Sequence, residues 1–279
     1  MEKTLFISDL DGTLLNRQDR LSPFTVRALN GLMAQGMLFT FATARSWHSA
    51  HVVTQGLSPS LPWITHNGAC FVDGQTGRRS QAVYFTRPQR EEILEICGGM
   101  GLWPLSYGVL NGGEKVFYLD VRPRHPGMDH YIDSRSGDKR LTLVESAAEL
   151  LQGETYYFTF IDSREALAPL WERVRAFDWL NLTFQQDLYR QEHWLEITPQ
   201  EATKAKAALR LKKELGCERL VSFGDAMNDL PLFQASDECY APSNAMPEVK
   251  AAATGIIGSN EEDGVARFLL ERLNGEGNR

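Results

Sequence analysis

Asp9-Leu10-Asp11-Gly12-Thr13 stands directly behind the apolar run Leu5-Phe6-Ile7. A buried strand of that kind normally ends in polar turn residues, and one Asp before a Gly would call for no comment. Two carboxylates two residues apart are another matter, because like charges at close quarters raise each other's pKa unless a cation neutralises them. The economical reading is a hard-metal site in which one carboxylate is also a nucleophile. At ordinary residue frequencies, Asp-x-Asp-Gly-Thr should arise by chance in about one of several hundred chains this long.

Working outward, three more apolar runs end at polar residues. Residues 38–42 lead to Thr43, 63–65 to Asn67, and 220–223 to Asp225. Between the first two runs lies a helix at 22–35, with Ser22 as its cap, Pro23 at the first helical position and Gly36 as a stop. Strand–helix–strand alternation predicts a parallel sheet with helices on both faces. Ligands of such sheets bind beyond the carboxyl ends of the strands, the edge to which all four runs deliver their polar residues. Further on, 204–215 reads as a helix stopped by Gly216, 238–241 and 254–257 as short strands, and 263–273 as a closing helix. The tail 274–279 is rich in Gly and Asn and reads as frayed.

The middle has a different pattern. Strands are predicted at 82–85, 105–110, 115–121, 156–161 and 180–185, and helices at 87–100 and 164–177. Asn111-Gly112-Gly113 is a hairpin signal between two of these strands. Hairpins mixed with helices suggest an antiparallel sheet covered on one face. The expected organisation is an α/β core at 1–82 and 194–279, interrupted by a second, α+β domain at 83–193. Two crossings between domains would give a hinged lid.

Composition bounds the function. A 43% hydrophobic, 23% charged chain of 279 residues has ample core. A net charge of −7 argues against non-specific nucleic-acid binding and against anionic membrane surfaces. An anionic substrate is therefore not drawn in by overall charge, and a bound cation must reverse the sign locally. Cys70, Cys97, Cys217 and Cys239 show no paired spacing and, with no leader segment before the first strand, read as reduced cytoplasmic thiols. No apolar run approaches a membrane span. The six histidines are scattered; His48 and His51 have helical spacing for a metal but no His or Cys partner follows. The cluster Arg122, Arg124, His125, Asp129, His130 and Tyr131 reads either as a substrate-reading loop or as solvated surface.

The stretch Asp9-Leu10-Asp11-Gly12-Thr13-Leu14-Leu15 resembles the first motif of the haloacid dehalogenase-like (HAD) phosphohydrolases. Phe41-Ala42-Thr43-Ala44-Arg45 is similar to the second, Lys204 within Thr203-Lys204-Ala205 to the third, and Gly224-Asp225-Ala226-Met227-Asn228-Asp229 to the fourth. The stretches 65–69, 243–250 and 259–265 resemble core segments of the Cof-type subfamily, which carries a large C2-type α/β cap between the second and third motifs. The likeness covers roughly 1–82 and 195–279. Ala44 and Ala205 stand where that subfamily usually has Gly.

This resemblance implies a Rossmann-like parallel-sheet core with an inserted α+β cap that sets specificity. It implies Mg²⁺-dependent hydrolysis of a small phosphorylated metabolite: a sugar phosphate, a nucleotide or a cofactor phosphate. Asp9 is then the nucleophile that forms an aspartyl-phosphate, and Asp11 the general acid and later base. Asp9, the backbone carbonyl of Asp11 and Asp225 would hold Mg²⁺, which wants oxygen ligands and keeps several waters. Thr43 would bond a phosphoryl oxygen, and Lys204 would offset its charge. Lys206, Lys212 and Lys213 compete for that role on spacing alone. Asp229 and Asn228 either support Asp225 and the phosphoryl group or cap a helix. Arg45 either reaches an anionic substrate or pairs with a carboxylate. Asn67 contacts phosphate, braces the Asp9 loop or forms a turn. Asn260 to Asp263 has the spacing of a capping box, and Asn244 is open between functional and structural roles.

Other functions fit less well. A phosphomutase or phosphotransferase shares the chemistry but must retain the phosphoryl group. A non-catalytic phospho-ligand sensor has no need of a general acid beside Asp9. A glycosidase needs carboxylates on opposite sides of its bond, and nicotinamide chemistry lacks its Gly-x-Gly-x-x-Gly turn.

Overall fold

Alternate residues of the first strand, Thr4–Ser8, enter different cores. In the computed structural model, which describes residues 2–186 and 190–276, Phe6 packs with Phe39, Phe41, Val221 and Phe223. Leu5 and Ile7 pack instead with Ala42, Ile64 and Leu220. A strand buried on both faces reads as continuous apolar sequence and needs cover on both sides. The helix Pro23–Ala34 contributes Leu29 and Leu32, and the closing helix Gly264–Glu276 contributes Val265 and Leu269, to the first cluster. The helix Lys204–Glu214 lays Ala207, Ala208 and Leu211 on the second. The two alanines let its backbone come close to the sheet.

That sheet has five strands in the order Gly255–Ile257, Glu238–Pro242, Arg219–Phe223, Thr4–Ser8, Leu38–Phe41, and every pair in it is parallel. Ser22 caps its helix by accepting from the Thr25 N–H at 3.0 Å. The expected strand at Trp63–Thr65 exists but belongs to a separate three-stranded antiparallel sheet with Cys70–Val72 and Arg79–Ala82. A single parallel bridge, Ala42 to Ile64, ties it to the core sheet. The expected strand at 82–85 is corrected to Arg79–Ala82, whose half-exposed polar residues give no apolar run to read. The closing helix runs to Glu276, through the start of the stretch expected to fray; residues 277–279 lie outside the described residues.

The chain divides into two compact units, Met1–Ala82 with Ala202–Arg279, and Val83–Glu201. The second crossing thus follows Glu201 and not residue 193, because His193–Pro199 is a strand paired on both sides within the inserted unit. The inserted unit is built on six strands in the order Leu180–Gln186, His193–Pro199, Glu154–Asp162, Leu105–Leu110, Gly113–Leu119, Leu141–Val144. Its pairs are antiparallel except the last, which is parallel. Helices Arg87–Gly99 and Arg164–Val174 bury Ile93, Leu94, Leu167 and Leu170 against Phe158, Phe160, Leu195 and Ile197. The basic cluster of this unit is tied up internally: Arg122 and Arg124 both pair with Asp120 and Asp129. Among the described residues the four cysteines are buried and form no disulfide, and no helix is long and apolar enough to cross a membrane.

Candidate active site

Asp9 is the residue immediately after the central strand, and its N–H donates to the Phe223 carbonyl of the neighbouring strand at 2.9 Å. The chain then turns sharply. Gly12 takes φ +72°, and a Cβ there would lie 2.2 Å from Asp225 Oδ2. Only glycine has both the backbone freedom and the room at this position. Asp225 follows the adjacent strand Arg219–Phe223, so parallel pairing alone brings the two carboxylate loops side by side.

Lys204 is the first residue of its helix and is 3% exposed. Its Nζ lies 2.7 Å from Asp9 Oδ1 and 2.7 Å from Asp229 Oδ1. Of its competitors, Lys212 pairs with Asp237 at 2.9 Å, on the exposed side of the same helix. Asp229 is fully buried; its Oδ2 accepts the backbone N–H groups of Asp225 at 3.0 Å and Ala226 at 3.2 Å. It therefore ties the Lys204 ammonium to the turn that carries Asp225. Thr13, for which the sequence reading has no role, donates its hydroxyl to Asp225 Oδ1 at 2.8 Å.

Asp9, Asp225 and Asp229 each offer an oxygen within 4.8 Å of the others. Burial pushes the Asp9 carboxyl well above the usual carboxylate range; Lys204 pulls it back, while Asp229 and Asp225 push it further up. Burial likewise lifts Asp225 to about 6, against the Thr13 bond and with the help of Asp229. For Lys204, burial favours the neutral amine, but Asp229 and Asp9 override it and hold the ammonium above its ordinary value. The cluster thus carries three carboxyls and one fixed positive charge. All-oxygen donors with an unmet demand for cation are the donor set of a hard divalent metal.

Asp11 lies outside this cluster and is half-exposed. Arg45 grips it, with Nε 2.9 Å from Oδ2 and Nη2 2.5 Å from Oδ1. Of the two readings left open for Arg45, the structure contains the carboxylate pair. Thr43 is buried and its Oγ1 accepts the Arg45 N–H at 3.1 Å, so Thr43 shapes the turn that aims Arg45. The Asn67 N–H donates to the Thr43 carbonyl at 2.9 Å. Asn67 has φ 54°, and its buried Oδ1 has no hydrogen-bond partner among the described residues. Asn228 is exposed on the short turn Met227–Asp229, apart from these contacts. Neither Ala44 nor Ala205 has a positive φ, so replacing Gly there strains nothing; Ala205 simply continues the Lys204 helix.

A model of the haloacid dehalogenase-like hydrolase family matches residues 6–269. The chain is 28% identical over 273 residues to the 5-amino-6-(5-phospho-D-ribitylamino)uracil phosphatase YitU of Bacillus subtilis, covering 96% of each chain. It is 25% identical over 270 residues to the pyridoxal phosphate phosphatase YbhA of Escherichia coli, covering 95% of this chain and 97% of that one. The crystal structure of TM0651 from Thermotoga maritima superposes with a TM-score of 0.75 at 24% identity, covering 98% and 97% of the two chains, and so shares the fold.

Proposed function

The chain belongs to the haloacid dehalogenase-like hydrolase family, and we propose that it hydrolyses phosphate monoesters of small metabolites, with Asp9 as nucleophile and Mg²⁺ as cofactor. The observation that carries this reading is the cluster of buried Asp9 and Asp229 with half-buried Asp225 around the ammonium of Lys204. Asp9, the Asp11 backbone carbonyl and Asp225 would hold the metal. When bound, it supplies positive charge that ionises the carboxylates and polarises the phosphoryl oxygens.

The remaining chemistry belongs to the side chains. Asp9 attacks phosphorus in line as the P–O bond to the leaving group breaks, giving an aspartyl-phosphate. Asp11 delivers its proton to the departing oxygen, then removes one from the water that attacks the phosphorus and regenerates Asp9. To do so, Asp11 must leave Arg45, and an anionic substrate offers Arg45 a replacement partner. Lys204 holds Asp9 in place and balances charge on the moving phosphoryl group, while Asp229 fixes Lys204 and the Asp225 turn. Thr43 and Asn67 line the adjoining turn, where the Thr43 hydroxyl and the Asn67 side-chain amide N–H would donate to phosphoryl oxygens. Asn228 is the exposed candidate for the same contact. The unit Val83–Glu201 is the proposed source of substrate choice. Buried cysteines without a disulfide fit a cytoplasmic setting.

The test is p-nitrophenyl phosphate hydrolysis with Mg²⁺ and with EDTA, wild type beside Asp9→Asn. Activity is expected only with metal, and the variant is expected to lose on the order of 10⁴-fold or more in kcat, the scale of removing a nucleophile. A wild type inert on this ester and on a panel of phosphorylated metabolites would refute the hydrolase. Transfer of the phosphoryl group to a second substrate hydroxyl, with no phosphate released, would identify a mutase.

A further inference from the structure

Asn244 uses both ends of its side-chain amide. Its Nδ2 donates to the Gly12 carbonyl at 2.8 Å, and its Oδ1 accepts from the Asn260 backbone N–H at 3.0 Å. Asn260 donates in turn through Nδ2 to the Leu15 carbonyl at 2.8 Å. Two residues beyond Asn244, the Met246 N–H donates to the Asp225 carbonyl at 2.9 Å. One short segment therefore grips a carbonyl on each side of the carboxylate cluster, Gly12 on the Asp9–Thr13 loop and Asp225 on the other.

Neither asparagine is engaged as a helix cap. The helix after Asn244, Pro247–Ala252, has Met246 at its cap position and no side-chain cap bond. The capping box near Asn260 is made by Ser259 and Glu262, one residue earlier than the spacing predicts. Asp263 instead accepts the hydroxyls of Ser22 and Thr25 at the start of the first helix. Both amides are directed at the loop that carries the candidate nucleophile.

The tolerance at this place is small, because the Gly12 backbone sits against the Asp225 carboxylate with no room for a methyl group. Three unequal loops meet here, and sheet pairing fixes only where their strands end. We propose that Asn244, itself held by Asn260, is a positioning residue. It sets the separation between the Asp9–Thr13 loop and Asp225, and so the affinity of the cluster for a divalent cation. This rests on the metal-dependent reading above and extends it to residues that touch neither metal nor substrate.

The experiment is Mg²⁺ titration of the full chain by isothermal calorimetry, with wild type, Asn244→Ala, Asn260→Ala and Asp225→Asn, each followed by circular dichroism and urea unfolding in EDTA. Asn244→Ala is expected to weaken Mg²⁺ binding about tenfold or more, the usual effect of removing a group that orients a metal site. Its unfolding midpoint in EDTA is expected to stay near that of wild type. In turnover of p-nitrophenyl phosphate at fixed sub-saturating Mg²⁺ its kcat falls, and raising Mg²⁺ restores most of it. Asn260→Ala keeps the backbone donor to Asn244 and is expected to lose less, about two- to fivefold. Wild-type Mg²⁺ affinity in Asn244→Ala would overturn the positioning role, as would loss of the folded spectrum in both asparagine variants. Failure of the wild type to bind Mg²⁺, or undiminished binding in Asp225→Asn, would overturn the metal site itself and the positioning role with it.

Discussion

Lys204→Met tests the electrostatics of the site directly. In the wild type one ammonium, 3% exposed, touches two carboxylates at 2.7 Å each. At an effective dielectric of about 20, each contact carries roughly 6 kcal/mol of attraction. Desolvation of all three groups offsets most of that, so what is measured is the cost of leaving buried carboxylates without their partner. For a broken buried pair this is about 3–5 kcal/mol. The methionine fills similar volume, which confines the change to charge. Urea unfolding in EDTA is therefore expected to show a loss of about 3–5 kcal/mol, a large share of a typical domain's stability but short of abolishing the fold. Adding Mg²⁺ is expected to recover much of the deficit, because a divalent cation in the cluster supplies the missing charge and then binds the variant more tightly than wild type. Turnover is expected to stay low, by about 10²–10³ in kcat, since the metal does not replace a donor aimed at the phosphoryl group. A loss under about 1 kcal/mol in EDTA, the range of a surface pair, would refute the reasoning. It would mean that Lys204 is not the counter-ion of Asp9 and Asp229.

Three further outcomes are expected. Gly12→Ala forces a left-handed alanine, costing about 1–2 kcal/mol, and drives its methyl group into Asp225. Calorimetry is expected to show weakened Mg²⁺ binding, and unchanged affinity would mean the loop can yield. Glu196, half-buried in the inserted unit, has its carboxyl raised by desolvation despite the Tyr157 bond. Its contribution to stability is present below the unfolded value of about 4.5 and is lost as pH rises through the folded one. Glu196→Gln is thus expected to unfold later than wild type at pH 7 and together with it at pH 4, and the reverse order in urea would refute this. Glu238 titrates the other way: bonds from Arg272 and Tyr240 hold it down at about 2. Its stabilisation is present above about pH 4.5 and disappears as pH falls through about 2, so Glu238→Gln is expected to flatten the acid limb of the stability curve. An unchanged acid limb would show that the Arg272 pair contributes nothing.

The parallel core was legible because its strands are apolar throughout and each run ends at a polar residue. What failed did so for local reasons. Arg79–Ala82 is polar and half-exposed and leaves no strand pattern. His193–Pro199 carries Trp194, Leu195 and Ile197 but mixes them with Glu196, and its membership of the inserted sheet rests on pairing with strands far away in sequence. At the site, Asp9, Asp11, Thr43 and Asp225 could be named because each lies at a fixed step from an element end, whereas Lys204 was singled out from its neighbouring lysines only by resemblance to the third family motif. Thr13 could not be assigned, since its hydroxyl partner is 212 residues away.

The division follows from what each kind of information depends on. Apolar periodicity, capping residues and the spacing Asp-x-Asp-Gly-Thr are properties of short stretches, so the chain alone determined the α/β class, the places where strands end and the chemistry gathered at those ends. Which of two partners Arg45 holds, which of several lysines is buried between carboxylates, and what the Asn244 amide grips are decided by contacts between loops. Those contacts exist only after the sheet has ordered its strands, and no local pattern encodes them. The tertiary structure alone paired Asp11 with Arg45, Lys204 with Asp9 and Asp229, and Asn244 with Gly12.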